Sequence, residues 1–315
     1  MRLLQVDENG EFSLADDLVG SLPPYAILSH TWAEDHEEVN FRDLMPGTRK
    51  TKWGYKKLRF CAERAARDGL LHFWVDTCCI DKSNNTELSE AINSMFRWYR
   101  DATKCYVYLS DVITNNLDHV NASPRSWEPA FPRSRWFTRG WTLQELLAPS
   151  SVEFFCSNKE RLGDKRSLER LLQEITGIAC AALQGTPLSE FSVNEHMSWA
   201  ETRQTKREED RAYSLLGIFG VHIPLIYGEG SASAFKRLQE EISKTSRPRQ
   251  DRTCKPTIPS DSQPACSIAY LTLPERCLIR TRGNMSRFIS PIPVAPSFER
   301  YTTRLTDKTR GQSSD

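Results

Sequence analysis

The chain has no apolar run of the roughly 18 residues that a membrane-spanning helix needs. Its start, "MRLLQVDENGEF", lacks the apolar core of about 7–15 residues that marks a secretory signal. There is no G-x-x-x-x-G-K-[ST] and no G-x-G-x-x-G, so a P-loop and a dinucleotide fingerprint are both set aside. No cysteine pair at zinc-finger spacing is followed by a second, and no metal site is expected. Charge of one sign is missing too, for 42 Lys/Arg oppose 41 Asp/Glu. That balance hides an asymmetry: from Ser246 onward 12 basic residues face 6 acidic ones, leaving 30 and 35 before it. The body is therefore mildly acidic and carries no nucleic-acid footprint. The tail, 246–315, holds 8 of the 17 prolines and is predicted to be a basic, disordered extension.

What is present suits an intracellular globular protein. Aromatic residues, with 14 Phe and 8 Trp, are enough for a sizeable core. The nine cysteines are odd in number, and Cys78, Cys79, Cys105 and Cys156 fall in apolar segments. Such placement suits reduced thiols and a cytoplasmic location.

Apolar runs at 25–32, 70–81, 104–111 and 151–158 read as strands. Between them, 51–69 and 87–102 have helical spacing, with Tyr55, Leu58, Ala62 and Ala65 as one stripe and Leu88, Ile92, Met95, Phe96 and Tyr99 as the other. This alternation predicts βαβ units and a parallel sheet. Residues 112–133 read as irregular, and helices are expected over 166–178, 197–220 and 231–244. The expected architecture is an α/β core over 1–160, a helical segment over 161–245 that completes or follows it, and the tail.

In an open parallel sheet, ligands bind outside the carboxyl ends of the strands. Ser29, His30 and Trp32 follow the first strand, Asp76 closes the second, and Ser110-Asp111 close the third. The segment "RGWTLQELLAP" (139–149) closes the same edge. Within it, helical geometry puts Leu143, Leu146 and Leu147 on one face and Trp141, Gln144 and Glu145 on the other. Glu145 then has two readings. Thr142 with Glu145 three residues later is a capping-box pattern, which is a structural role; a carboxylate at a strand-end crevice is a catalytic one. His30 and His36 flank Trp32, as hydrogen-bonded structure or as ligand contacts. Adjacent Cys78 and Cys79 read as buried thiols, with a thiol-dependent enzyme as the alternative. The "YGEGSASAFKRL" segment (227–238) reads as a loop leading into a capped helix.

Together, "YAILSHTW", "FWVDTCCIDK" and "SRWFTRGWTLQELLAP" resemble, in order and spacing, the three core motifs of the fungal heterokaryon-incompatibility (HET) domain. The stretch 197–242 resembles the helical segment that follows in many members. The resemblance covers about residues 1–245 and implies a programmed-cell-death effector that acts in heterokaryon incompatibility. It implies as partners copies of the chain itself on activation, and a nucleotide-binding receptor or the product of an incompatible allele.

A more distant resemblance is to TIR domains, which have a flavodoxin-like fold. There "YAILSH", "KCYVYLSD" and "WTLQEL" take comparable places, although Thr142 replaces the TIR cysteine and 112–133 has the character of an insertion. That resemblance implies NAD as substrate, cleaved at the nicotinamide–ribose bond, with no bound cofactor. It makes Glu145 the catalytic residue, and Ser29, His30, Trp32 and Asp76 at the strand ends, with Arg139 and Trp141 beside Glu145, are then the expected substrate-binding residues. The competing reading is a non-catalytic, self-associating signalling module.

Overall fold

A computed structural model of the chain describes residues 1–15, 22–45, 48, 50–114 and 126–245. The predicted tail lies outside the described residues. All described residues fall in one compact unit, Met1–Arg252.

Four parallel strands form the middle of a seven-stranded sheet: β3 (Tyr25–His30), β4 (His72–Trp74), β5 (Lys104–Leu109) and β6 (Val152–Cys156). Their spatial order is β4-β3-β5-β6. The first strand of this set therefore lies inside, between the second and the third, as in flavodoxin-like sheets, and the crevice of such a sheet opens where β3 and β5 part. All six residues of β3 are buried, which is why it reads as an unbroken apolar run rather than an alternation. The fold is α/β as expected, and the predicted strands end on one edge.

The sheet is nevertheless mixed. A hairpin of β1 (Leu4–Val6) and β2 (Phe12–Leu14) adds antiparallel beside β4, and β7 (Arg161–Asp164) adds antiparallel beside β6. The hairpin turn contains Gly10 at φ 78°, and Asp7 accepts from the amides of Asn9 and Glu11. β4 is shorter than its apolar run, because the Val75 carbonyl accepts from the Cys79 amide at 2.9 Å and turns the chain.

Side-chain alternation sends each strand to two helical layers. One face, with Tyr108 and Phe155, packs on Phe60 of α1 (Tyr55–Arg67). On the other, Trp74 packs on Trp98 and Tyr99 of α2 (Asn85–Asp101), and Phe154 packs on Trp136 just ahead of α3 (Thr142–Leu147). The α2–α3 layer is covered in turn by the later helices. These are α4 (Glu169–Thr176), α5 (Cys180–Leu183), α6 (Val193–Ala200), α7 (Asp210–Tyr213), α8 (Leu216–Phe219) and α9 (Ser231–Thr245). Among them α5 meets α3 and α8 meets α2.

The single helix expected over 197–220 is broken into α6, α7 and α8. The reason lies at Gln204, whose amide donates to the Thr138 carbonyl (2.6 Å) while its carbonyl accepts from the Gly140 amide (2.8 Å). That backbone pairing pulls 203–205 out of helical form and lays it along the strand-end segment.

Candidate functional site

The helix that carries Glu145 is not amphipathic in place: every residue of α3 is buried. The expected capping box does not form. Trp141 is the N-cap residue and makes no side-chain cap, while Thr142 lies inside the helix, where its hydroxyl donates to the Trp136 carbonyl (2.6 Å). Arg203 fixes the same corner, its Nη1 donating to Thr142 Oγ1 (2.8 Å) and to the Arg139 carbonyl (2.9 Å). Capping fails because α3 starts one residue earlier than the pattern demands. Glu145 is thereby released to face β3.

There the Ser29 hydroxyl donates to Glu145 Oε2, and Trp136 Nε1 donates to Ser29 Oγ at 2.8 Å. The Tyr99 hydroxyl, which donates to the Leu28 carbonyl (3.0 Å), also stands against the carboxyl. Burial raises the Glu145 pKa to about 8, against the donation from Ser29, and the nearby Asp76 charge adds to the rise. The carboxyl is thus largely protonated at neutral pH.

Asp76 behaves in the opposite way. It accepts from Trp32 Nε1 at 2.9 Å, with Lys82 Nζ 3.6 Å away and His30 Nε2 at 3.9 Å. Burial opposes its ionisation, but Lys82 and the Trp32 N–H outweigh burial and hold it below the usual carboxylate range. Burial, with Lys57, pulls His30 down to about 4, so the imidazole is neutral. Neither of its nitrogens has a hydrogen-bond partner. The Lys82 ammonium also lies over the Trp32 ring, 3.8 Å from its centroid. The loop that presents Trp32 is held from beneath by Lys57, a buried ammonium that donates to the Thr31 carbonyl (2.9 Å) and pairs with Glu38.

Six of the seven expected residues line one cavity of about 170 Å³: His30, Trp32, Asp76, Arg139, Trp141 and Glu145. Ser29 reaches it through Glu145. Trp141 is half-buried and stands beside Asp210, to which the Tyr227 hydroxyl donates (3.0 Å). Sequence reasoning missed the wall made by Lys82, Lys206, Arg207, Asp210 and Tyr227. Three of those sit in a charged stretch that looked like solvated helix, and only the break at Gln204 brings them to the strand ends. Larger openings, such as one of about 810 Å³ around Leu183 and Phe219, hold none of the expected residues.

The remaining candidates fall elsewhere. Asp111 accepts from Ser134 Oγ (2.7 Å) and the Arg135 amide (2.8 Å) and so braces the segment ahead of α3. His36 is exposed. Cys78 and Cys79 are buried free thiols, and burial pushes Cys78 well above the ordinary thiol range. A thiolate nucleophile at Cys78 is therefore disfavoured. Among the described residues, no group of three or more His, Cys, Asp and Glu could hold a metal ion, and no helix is long and apolar enough to cross a membrane.

Comparison with known proteins agrees with the motifs. Residues 25–130 match the family model "Heterokaryon incompatibility protein (HET)". That span covers β3 through β5 with Ser29, His30, Trp32 and Asp76, and stops before Arg139 and Glu145. The chain is also 61% identical over 245 residues to the vegetative incompatibility protein HET-E-1 of Podospora anserina. The match takes in 78% of this chain and 18% of that protein, so the chain spans less than a fifth of its relative. No solved structure matches it. With its motifs, the family model and this relative in agreement, the chain carries a HET domain and belongs by it to the fungal heterokaryon-incompatibility family.

Proposed function

We propose that this domain is a cell-death effector of heterokaryon incompatibility that cleaves NAD at the nicotinamide–ribose bond, with Glu145 acting on the ribose. One observation carries the reading: two carboxyl groups with opposite protonation, Glu145 and Asp76, share an enclosed cavity at the carboxyl ends of β3 and β4. Pairs of titratable groups driven apart in this way mark acid–base sites.

The nicotinamide ring of NAD is a cation and leaves as a neutral molecule, so its departure requires no strong acid. Positive charge develops instead on an oxocarbenium-like ribose, as in glycoside hydrolysis. Ionised Asp76 supplies negative charge to a cationic ring, with Trp32 and Trp141 as flat surfaces for it. A cation bound in the cavity also favours loss of the Glu145 proton, after which the carboxylate, held by Ser29, stabilises the ribose cation until water adds to its anomeric carbon and releases a proton, giving ADP-ribose. The cavity is smaller than the 300–1,000 Å³ or so of sites that enclose whole ligands, which suits the nicotinamide–ribose end entering alone. In the cell, the domain acts in the cytoplasm on self-association, triggered by a nucleotide-binding receptor or an incompatible allele product.

A second reading has one observation in its favour. The buried Glu145 carboxyl already accepts a hydrogen bond from Ser29 within the protein, as it would in a non-catalytic, self-associating module. Glu145→Gln separates the two. In the catalytic reading the substitution lowers NAD turnover about 10²–10³-fold, as for loss of one preorganised group, and abolishes killing on expression. Full toxicity from a folded Glu145→Gln protein sinks the catalytic reading.

A further inference from the structure

The mouth of the Glu145 cavity is basic, and its four cations are not equivalent. Lys82 is paired with Asp76 at 3.6 Å, and Lys206 is paired with Asp35 at 2.7 Å. Arg139 and Arg207 also line the cavity, yet neither guanidinium has a carboxylate within ion-pair distance among the described residues. Arg207 lies flat over the Tyr227 ring, 4.0 Å from its centroid. Stacking engages the face of the guanidinium and leaves its N–H fork free, and that fork matches the oxygens of a phosphate. By contrast, Arg161 is paired with Glu153 and Arg237 with Glu229. Two guanidinium forks without a carboxylate partner therefore stand at one opening.

The interior explains where an anion can sit. Asp76 is ionised there and repels phosphate from the depth of the cavity. With about 170 Å³ available, the enclosed part of a ligand is a ring or a sugar, and the rest lies across the mouth. We propose that Arg139 and Arg207 form a phosphate clamp, so that the site takes a nucleotide or dinucleotide and holds the corresponding free nucleoside far more weakly. The proposal rests on the reading of the cavity as an N-glycoside site and adds to it the part of the substrate that gives affinity. It also gives the segment after α6 a substrate-binding role, which the 25–130 family match does not reach.

The test is calorimetric titration of the whole chain with ADP-ribose and with adenosine, beside cleavage assays on NAD and on nicotinamide riboside. ADP-ribose is expected to bind about 100-fold tighter than adenosine, from roughly tenfold per charged contact. In Arg139→Ala/Arg207→Ala that preference falls to a few-fold. Arg207→Ala alone, at an exposed side chain whose loss spares the core, removes about tenfold of it. Circular dichroism confirms that each variant is folded. Equal affinity for the two ligands, or a preference that survives in the double variant, overturns the clamp. Nicotinamide riboside cleaved as efficiently as NAD also overturns it while leaving cleavage intact. ADP-ribose held through both arginines without NAD turnover upholds the clamp and sinks the cleavage reading instead.

Discussion

At the scale of single residues, the informative group is Glu145, because its protonation ties function to stability. Its folded pKa, about 8, lies above the ordinary 4.5. Between those values the folded protein holds a proton that the unfolded chain has released, so stability falls as pH rises. The contribution is whole below about pH 4.5 and is lost as pH passes about 8. Glu145→Gln cannot titrate. Its melting temperature is expected to exceed that of the parent by several degrees at pH 8 and to approach it near pH 5. Parallel melting curves at the two pH values would show that Glu145 ionises freely in the folded state. If the ionised form acts on substrate, NAD cleavage at low substrate rises about tenfold per pH unit below about 8 and levels off above it. A rate independent of pH across that window would assign the step to another group.

At the scale of elements, the site depends on how the segment at 203–205 lies against the one at 138–140. Gly140 is required by that approach, since a Cβ there meets the Thr205 methyl at 2.5 Å and Ser214 Oγ at 3.4 Å. Gly140→Ala is expected to cost about 1–3 kcal/mol, the range for overpacked positions. Thr205→Ser deletes the offending methyl and keeps the hydroxyl that donates to the Arg207 carbonyl (2.6 Å). The double variant should therefore recover most of the loss in urea denaturation. Absence of recovery would mean that the strain falls on the Gly140–Gln204 backbone pairing rather than on side chains. Both variants also move Arg139 and Arg207, so NAD affinity should follow the same pattern as stability.

At the scale of the whole molecule, the sheet and the later helices depend on one another. Leu183, Trp199, Leu216 and Leu238 are buried and belong to one continuous core with the sheet residues. Removing 165–245 would bare the α2–α3 layer, including Leu143, Leu146 and Trp136, which are fully buried in the intact chain. A fragment ending at Asp164 is expected to lack a cooperative melting transition and to bind a hydrophobic dye. A sharp transition in that fragment would make the sheet a self-sufficient unit. The 25–130 match would then correspond to a folding module, and the helices to an addition.

How much of this was legible in the chain differs from feature to feature. β3, β5 and β6 were readable as apolar runs, and α1 and α2 from their stripes, because burial on one or both faces leaves a periodic mark. The β1–β2 hairpin left its signal in Asn9-Gly10, a turn dipeptide flanked by strands of three residues each, too short to show an alternation. Ser29, His30, Trp32, Asp76, Arg139, Trp141 and Glu145 were found from the rule that strand ends converge, and six of them do line one cavity. Local pattern misjudged α3. A capping box describes contacts within four residues, whereas Glu145 is bound by Ser29, 116 residues away. Lys206 and Arg207 were hidden for the same reason: a charged stretch has the composition of surface wherever it lies. Periodicity records which side of an element loses water, and that is local. Which buried acid keeps its proton, and which cation finds no partner, depends on groups brought together from distant parts of the chain, and only the tertiary structure decides it.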